Sequence, residues 1–313
     1  MEKKYLLILL VSMIVLSSGV CMAQGVLKST EEIDATEQEA AAAKSREIEY
    51  IYGAISEDGR KFTVLPEYLC RSGALPDVVE LTRNSTVDKK GTLLLYFVDP
   101  RRLNVEGEGM MLATSSDGFD WSAPCRLVFS ERQNKGVIVD PSVIELPNGD
   151  VRMYFYGAES ADPDQKRGIG ENKIYSAVSA DGVRFRVEPG VRFEAFGVRG
   201  PEVVYRNGEW FMFLSRGQET ILARSPDGMS FRREAVFSLI TGWQPGAVVL
   251  PNNKIRIFIT THAGIKSILY NPGTTMMPEY GERIQAESGK VIGEPSCIRR
   301  PDGSYFLVFK KKP

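Results

Sequence analysis

The stretch DPSVIELPNGDVRMYFYG, residues 140–157, decides the fold because its pattern returns along the chain. A proline opens a short β-branched run, a Pro-Asn-Gly turn follows, and an aromatic-rich run closes the unit. β-Branched and aromatic residues suit a pleated, half-buried surface, while Asn and Gly accept the positive φ of a tight hairpin. The unit therefore reads as two antiparallel strands joined by a short turn. Its counterparts are LPDVVEL with TLLLYFVD (75–81 and 92–99), GPEVVYRNGEWFMFLS (200–215), QPGAVVLPNNKIRIFIT (244–260) and EPSCIRRPDGSYFLVFK (294–310). Their leading prolines, Pro76, Pro141, Pro201, Pro245 and Pro295, stand 65, 60, 44 and 50 residues apart.

Four units run on through a third strand-like segment (GMMLATS, KIYSAVS, TILARS, GIKSILY). Three of these segments lead into a second repeated element, Ser-x-Asp-Gly-x-x-aromatic: SSDGFDW (115–121), SADGVRF (179–185) and SPDGMSF (225–231). A fourth copy, SEDGRKF (56–62), lies ahead of all the units. The fourth unit has YNPGTTM in the motif's place, and the fifth stops after its second strand. Four strands per unit, five units and almost no helical periodicity predict an all-β, five-bladed β-propeller. The early segment EIEYIYGAISEDGRKFTVL (47–65) supplies a third strand, the turn and an outer strand without a first pair. Joined to the last unit, it is expected to complete the fifth blade and close the ring, leaving no open sheet edge between the termini.

The motif itself reads first as a turn device. A Ser hydroxyl and an Asp carboxylate accept turn amides, Gly takes the strained position, and the aromatic packs between blades. A calcium or sugar site at each turn is the alternative, against which a single carboxylate per turn makes a poor calcium cage.

Composition is that of an ordinary globular protein: 43% hydrophobic, 25% charged, with a formal net charge of -1. No clustered basic face speaks for nucleic acid. Residues 1–23 read as a secretory signal, with Lys3 and Lys4 ahead of an apolar run and small residues around Ala23. Export to a secreted or periplasmic location is expected, with no stable membrane span after cleavage. Residues 24–47, acidic and Ala-rich, read as a linker or loose helix, and 48–313 as the propeller domain. The mature chain would keep Cys70, Cys125 and Cys297, an odd number that cannot form a complete disulfide framework.

The inner strand of a propeller blade lines the central channel, so residues around the five prolines are candidates for chemistry. Before them stand Leu75, Asp140, Gly200, Gln244 and Glu294; after them Asp77, Ser142, Glu202, Gly246 and Ser296. Positions two apart share a face of a regular strand, so Asp77, Asp140, Glu202 and Glu294 are expected at one mouth of the channel. Crowded carboxylates repel and push their pKa values apart, which suits acid–base work on glycosidic bonds. A purely structural role, capping strand amides or pairing with Arg199, is the competing reading.

Ends of second strands bring Asp99, Glu159, Arg216 and His262 to the same face, and Arg199 and Trp243 flank the inner strands. Arg199 and Arg216 suit a carboxylate or phosphate, Trp243 a sugar face or inter-blade packing. His262, the one histidine of the chain, suits capping or a sugar hydroxyl better than a metal, which would want a second His. No zinc motif, phosphate loop or nucleophile elbow is present, and no cofactor is expected; a calcium ion in the channel stays open.

These repeats, DPSVIELPNGDVRMYFYG and its fellows with the Ser-x-Asp-Gly turns, resemble the five-bladed propeller glycosidases: the arabinanase and β-xylosidase group (family 43) and the invertase-like group (family 32). The resemblance spans the chain from about Glu47 onward. It implies three acids on the first three blades, which by blade order fall on Asp77 as base, Asp140 as pKa tuner and Glu202 as general acid. It also implies a carbohydrate substrate. The match departs from the family pattern in two places. Leu75 stands where the first acid precedes its proline, and Glu202 follows Pro201 where the family's acid precedes a Gly-Pro or Cys-Pro pair. Three readings follow: a glycoside hydrolase, a non-catalytic carbohydrate-binding or interaction propeller, and a glycoside phosphorylase.

Overall fold

The computed structural model describes residues 49–102, 109–131, 136–158 and 171–312. The expected signal and linker, and the candidate Glu159, lie outside the described residues. The described strands form five sheets, the blades of a β-propeller, each led by one proline-headed run. Blade 1 is Ala74–Glu80, Leu93–Val98, Met110–Ser115 and Cys125–Arg126; blade 2 is Val137–Glu145, Val151–Ala158, Glu171–Ser179 and Arg184–Val187. Blade 3 is Val198–Arg206, Glu209–Arg216, Glu219–Ser225 and Arg232–Phe237; blade 4 is Trp243–Val249, Ile255–Thr261, Gly264–Asn271 and Thr275–Pro278. Blade 5 takes Ile292–Arg299 and Tyr305–Lys311 from late in the chain and Tyr50–Ser56 and Thr63–Arg71 from early in it. Tyr50–Ser56 pairs antiparallel with Tyr305–Lys311 over its whole length, from Tyr50 against Lys311 to Ser56 against Tyr305.

The hydrophobic core follows from this layout. Both faces of each sheet are covered by neighbouring blades, so strands read as continuous apolar runs; Leu93–Val98 is buried at every position. Apolar side chains gather in five clusters, one in each joint between neighbouring blades. The early strand Tyr50–Ser56 serves two of them: Ile51 packs into the joint with blade 1 and Ala54 into the joint with blade 4.

The Ser-x-Asp-Gly-x-x-aromatic turns are the clasps of these joints. Each Ser hydroxyl donates to its Asp (Ser56–Asp58 3.1 Å, Ser115–Asp117 3.0 Å, Ser179–Asp181 3.0 Å, Ser225–Asp227 2.8 Å). The same carboxylate oxygen accepts two following amides, as Asp58 does from Arg60 at 2.7 Å and Lys61 at 2.9 Å. The glycines take φ of 67°, 92°, 74° and 72°, the left-handed region a side chain would strain. The motif aromatic then packs on a second-strand ring of the preceding blade: Trp121 on Phe306, Phe185 on Tyr96, Phe231 on Tyr154 and Phe62 on Phe258. Tyr96 and Tyr154 complete the clasp by donating their hydroxyls to the carbonyls of Gly182 and Gly228. Cys70, Cys125 and Cys297 are unpaired, so packing and these clasps hold the ring.

Each inner strand breaks its ladder at the proline. Register shifts fall between Ala74 and Asp77, Val139 and Ser142, Arg199 and Glu202, Trp243 and Pro245, and Gly293 and Ser296. Proline has no N–H to give, so a bulge is where a paired strand accommodates it. The preceding residue is left-handed in all five blades: Leu75 (φ 52°), Asp140 (55°), Gly200 (59°), Gln244 (50°) and Glu294 (57°). For the four residues that are not glycine this conformation costs on the order of 1–3 kcal/mol each. The neighbouring blades hold it in place.

Candidate functional site

The five bulges build two tiers of hydrogen bonds around the channel. In the first tier, the residue after one proline accepts an amide of the next blade's inner strand. Asp77 Oδ2 accepts Val143 N at 2.6 Å, Ser142 Oγ accepts Val203 N at 2.9 Å, and Glu202 Oε1 accepts Ala247 N at 2.8 Å. Ser296 Oγ accepts Val78 N at 3.1 Å and donates its own proton to Asp77 Oδ1 at 2.7 Å. Gly246 holds the remaining place, where a Cβ would stand 2.0 Å from the Pro295 carbonyl oxygen.

The second tier lies at the left-handed residues. Asp140 Oδ2 accepts Gly200 N at 2.9 Å, and Glu294 Oε2 accepts Leu75 N at 2.6 Å. Ser215 Oγ accepts Gln244 N at 2.6 Å, and Thr260 Oγ1 accepts Glu294 N at 2.8 Å. Glu294 also pairs with Lys310.

Burial raises the pKa of these acids. Asp77, Asp140 and Glu202 are only 4%, 6% and 7% exposed. Desolvation pushes the Asp140 carboxyl up to about 6; Glu294 adds to the rise, while the Gly200 amide, Arg199 and Lys310 oppose it. Burial likewise raises Asp77, against the hydrogen bonds from Ser296, Val143 and Val78. Glu202 is raised well above the usual carboxylate range by burial and then by the charge of Asp77.

The expectation that Asp77, Asp140, Glu202 and Glu294 share one mouth holds for three of the four, and Asp77 is absent from its lining. Asp140, Glu202 and Glu294 surround the mouth together with the five prolines, enclosing a cavity of about 30 Å³. That is room for a single water. Asp77 instead lines the channel beyond, a space of about 410 Å³ shared with Glu202, Ser142 and Ser296 and walled by apolar residues such as Val79, Ile144 and Ile298.

Between blades 3 and 4 a recess of about 240 Å³ is lined by Arg199, Ser215, Gly217, Trp243 and Gln244. It shares Gln244 with the mouth. His262 meets Trp243 edge to face with ring centroids 5.0 Å apart. Ser215 and Gly217 carry no sequence signal beyond their place at a second-strand end, and the period-two reading of the sequence did not single them out.

The remaining candidates have local partners. Asp99 is buried, accepts Ser72 Oγ at 2.9 Å and pairs with Arg101 at 3.0 Å. Burial works to raise its carboxyl, yet Arg101 and Ser72 hold it below the usual range. Arg216 pairs with Glu219 at 2.8 Å. Among the described residues, no group of three or more His, Cys, Asp or Glu side chains is arranged to hold a metal ion.

The fold is a five-bladed β-propeller, and solved structures that share it include glycosidases. The structure is similar to a thermostable family-43 glycoside hydrolase, with a TM-score of 0.55 at 14% identity over 76% of this chain and 88% of that one. It is similar to a fructofuranosidase from Schwanniomyces occidentalis complexed with fructose, with a TM-score of 0.51 at 18% identity over 66% of this chain. The match spans only 47% of that larger enzyme. A protein of unknown function from Dyadobacter fermentans matches with a TM-score of 0.53 at 17% identity, covering 84% of both chains. No family model and no curated protein matches the sequence. At these identities the likeness is one of fold, and activity has to be argued from the site.

Proposed function

We propose that this protein binds a saccharide on the mouth face of the propeller, in the recess of Arg199, Ser215, Gly217, Trp243 and Gln244. We propose further that it does so without the paired-carboxylate hydrolysis that its fold suggests. One observation carries the reading. Asp77 and Glu202, assigned by blade order to base and general acid, accept main-chain amides across blade joints in the same way as Ser142 and Ser296. Where the family's acids precede Pro76 and the Gly200-Pro201 pair, this chain has Leu75 and Arg199. The recess supplies what a sugar ring needs: an aromatic face for its C–H side and fixed polar groups for its hydroxyls. The leader-like residues 1–23 support action outside the cytoplasm.

A second reading, hydrolysis by Asp140 with Glu202 and Glu294, is favoured by one fact. The Asp140 carboxyl, raised to about 6 by burial and further by Glu294, approaches the range of a general acid near neutral pH.

A panel of oligosaccharides and aryl glycosides separates the two. Calorimetry should show binding that Trp243→Ala weakens about tenfold, the worth of one good aromatic contact. No turnover should accompany it. Hydrolysis that Asp140→Asn or Glu202→Gln abolishes would overturn this reading for a hydrolase, and turnover that requires phosphate would select a phosphorylase.

A further inference from the structure

A second aromatic cleft lies on blade 5, away from the recess of Trp243. Tyr50 and Tyr52 stand two residues apart on one strand, and Tyr68 faces Tyr52 in the register of the outer strand. With Lys311 these three rings line a space of about 300 Å³, at the lower end of ligand-sized pockets. Tyr50 and Tyr68 lie 5.1 Å apart at a 51° tilt, and the Lys311 ammonium sits 5.4 Å from the Tyr52 ring centroid. Tyr68 is 45% exposed.

We infer that this cleft is a second saccharide-binding site, selective for a neutral sugar unit. Three observations support it. First, Tyr96, Tyr154, Tyr156 and Tyr270 direct their hydroxyls onto protein partners, and among the described residues no such bond ties the hydroxyls of Tyr50, Tyr52 or Tyr68. Aromatic faces flanked by uncommitted hydroxyls match a sugar ring, with C–H groups on one side and hydroxyls around its rim.

Second, nearby charges cancel. Lys311 pairs with Glu287 at 2.8 Å, Lys312 with Glu49 at 3.3 Å, and Lys310 with Glu49 and Glu294. Three lysines against three glutamates, with Arg71 opposite Tyr50 offset by Glu67 beside Tyr68, leave no excess charge among the described residues for an acidic ligand.

Third, topology puts the cleft on the face that carries the mouth. Tyr50 and Ile292, the first residue of the inner strand, both pair with Lys311, so Tyr50 lies at the end of blade 5 where that strand starts. The inference does not depend on the recess of Trp243, because the tyrosines form their cleft without it.

The test titrates the full chain with neutral hexasaccharides (cellohexaose, xylohexaose and maltohexaose) by calorimetry and by saturation-transfer NMR. At least one should bind, with Tyr50→Ala and Tyr68→Ala each lowering affinity about tenfold and Tyr68→Phe about threefold. The same losses should persist in a Trp243→Ala background, which separates this site from the recess. Binding of none of the three sugars, or binding indifferent to the tyrosine substitutions, overturns the inference. So does cross-linking of residues 24–48 to Tyr68 in the sugar-free chain, which would assign the cleft to the protein's own N-terminal segment. A dimer dispersed by Tyr68→Ala in sedimentation would assign it to a second copy.

Discussion

Asp77 Oδ2 accepts the amide of Val143 at 2.6 Å, so the side chain placed by blade order as a catalytic base joins blade 1 to blade 2. The bond is buried, and its second oxygen is held by Ser296 of blade 5. One carboxylate therefore ties three blades at the channel wall.

Removing that acceptor leaves a buried amide and a buried hydroxyl unsatisfied. Asp77→Ala should cost about 2–4 kcal/mol in urea unfolding, the sum of two lost buried bonds. Asp77→Asn, which keeps an oxygen for Val143, should cost far less. Equal losses in the two variants would show that the bond is not what matters there.

Stability should fall as pH rises from about 4 to 7. Asp140 is raised to about 6 in the folded state, so the native form binds its proton more tightly than the unfolded chain does. The resulting stabilisation is complete below the unfolded value near 4 and is lost as pH climbs through about 6, a change of roughly 2–3 kcal/mol. Asp77 and Glu202, raised by burial as well, act in the same direction. The turn carboxylates oppose this at the acid end: amides of the following residues hold Asp117 and Asp227 below the usual range. Their contribution is present above the unfolded value and lost as pH drops through the lowered one. Urea midpoints measured from pH 3 to 8 should peak on the mildly acidic side, and Asp140→Asn should flatten the decline toward neutral pH.

Gly246 is the place in the first tier where no side chain fits. Its Cβ would stand 2.0 Å from the Pro295 carbonyl, a backbone atom that cannot rotate aside. Gly246→Ala should therefore destabilise by more than about 2 kcal/mol, visible as a fall in Tm or a loss of soluble protein.

Closure by the early strand predicts a sharper failure. Deleting residues 48–65 removes the partner of Tyr305–Lys311 and half of the clasp against Phe258. The exposed edge should drive aggregation, seen by size exclusion, with loss of cooperative unfolding in circular dichroism. Asp58→Asn, on the far rim from the mouth, should leave saccharide affinity unchanged while weakening only its own turn.

Blade number, strand order and the clasping turns were legible in the sequence because they rest on local chemistry. Proline, Asn-Gly and Ser-x-Asp-Gly each constrain a few neighbouring residues, and β-branched and aromatic runs repeat at every blade. The site was less legible for a physical reason. A period of two places Asp77 beside Asp140, but Pro76 and Pro141 sit at register shifts, and Asp77 is absent from the lining of the mouth. The prolines themselves carried the warning, since a paired strand seldom holds one without a bulge. No local pattern showed that a carboxylate would be used on an amide 66 residues away, or that Tyr50, Tyr52 and Tyr68 would face one space. By itself the sequence determined a ring of five sheets and the turns that lock it. Only the tertiary structure decided which acids tie blades and which groups face solvent, because those outcomes depend on contacts between blades that no single repeat contains.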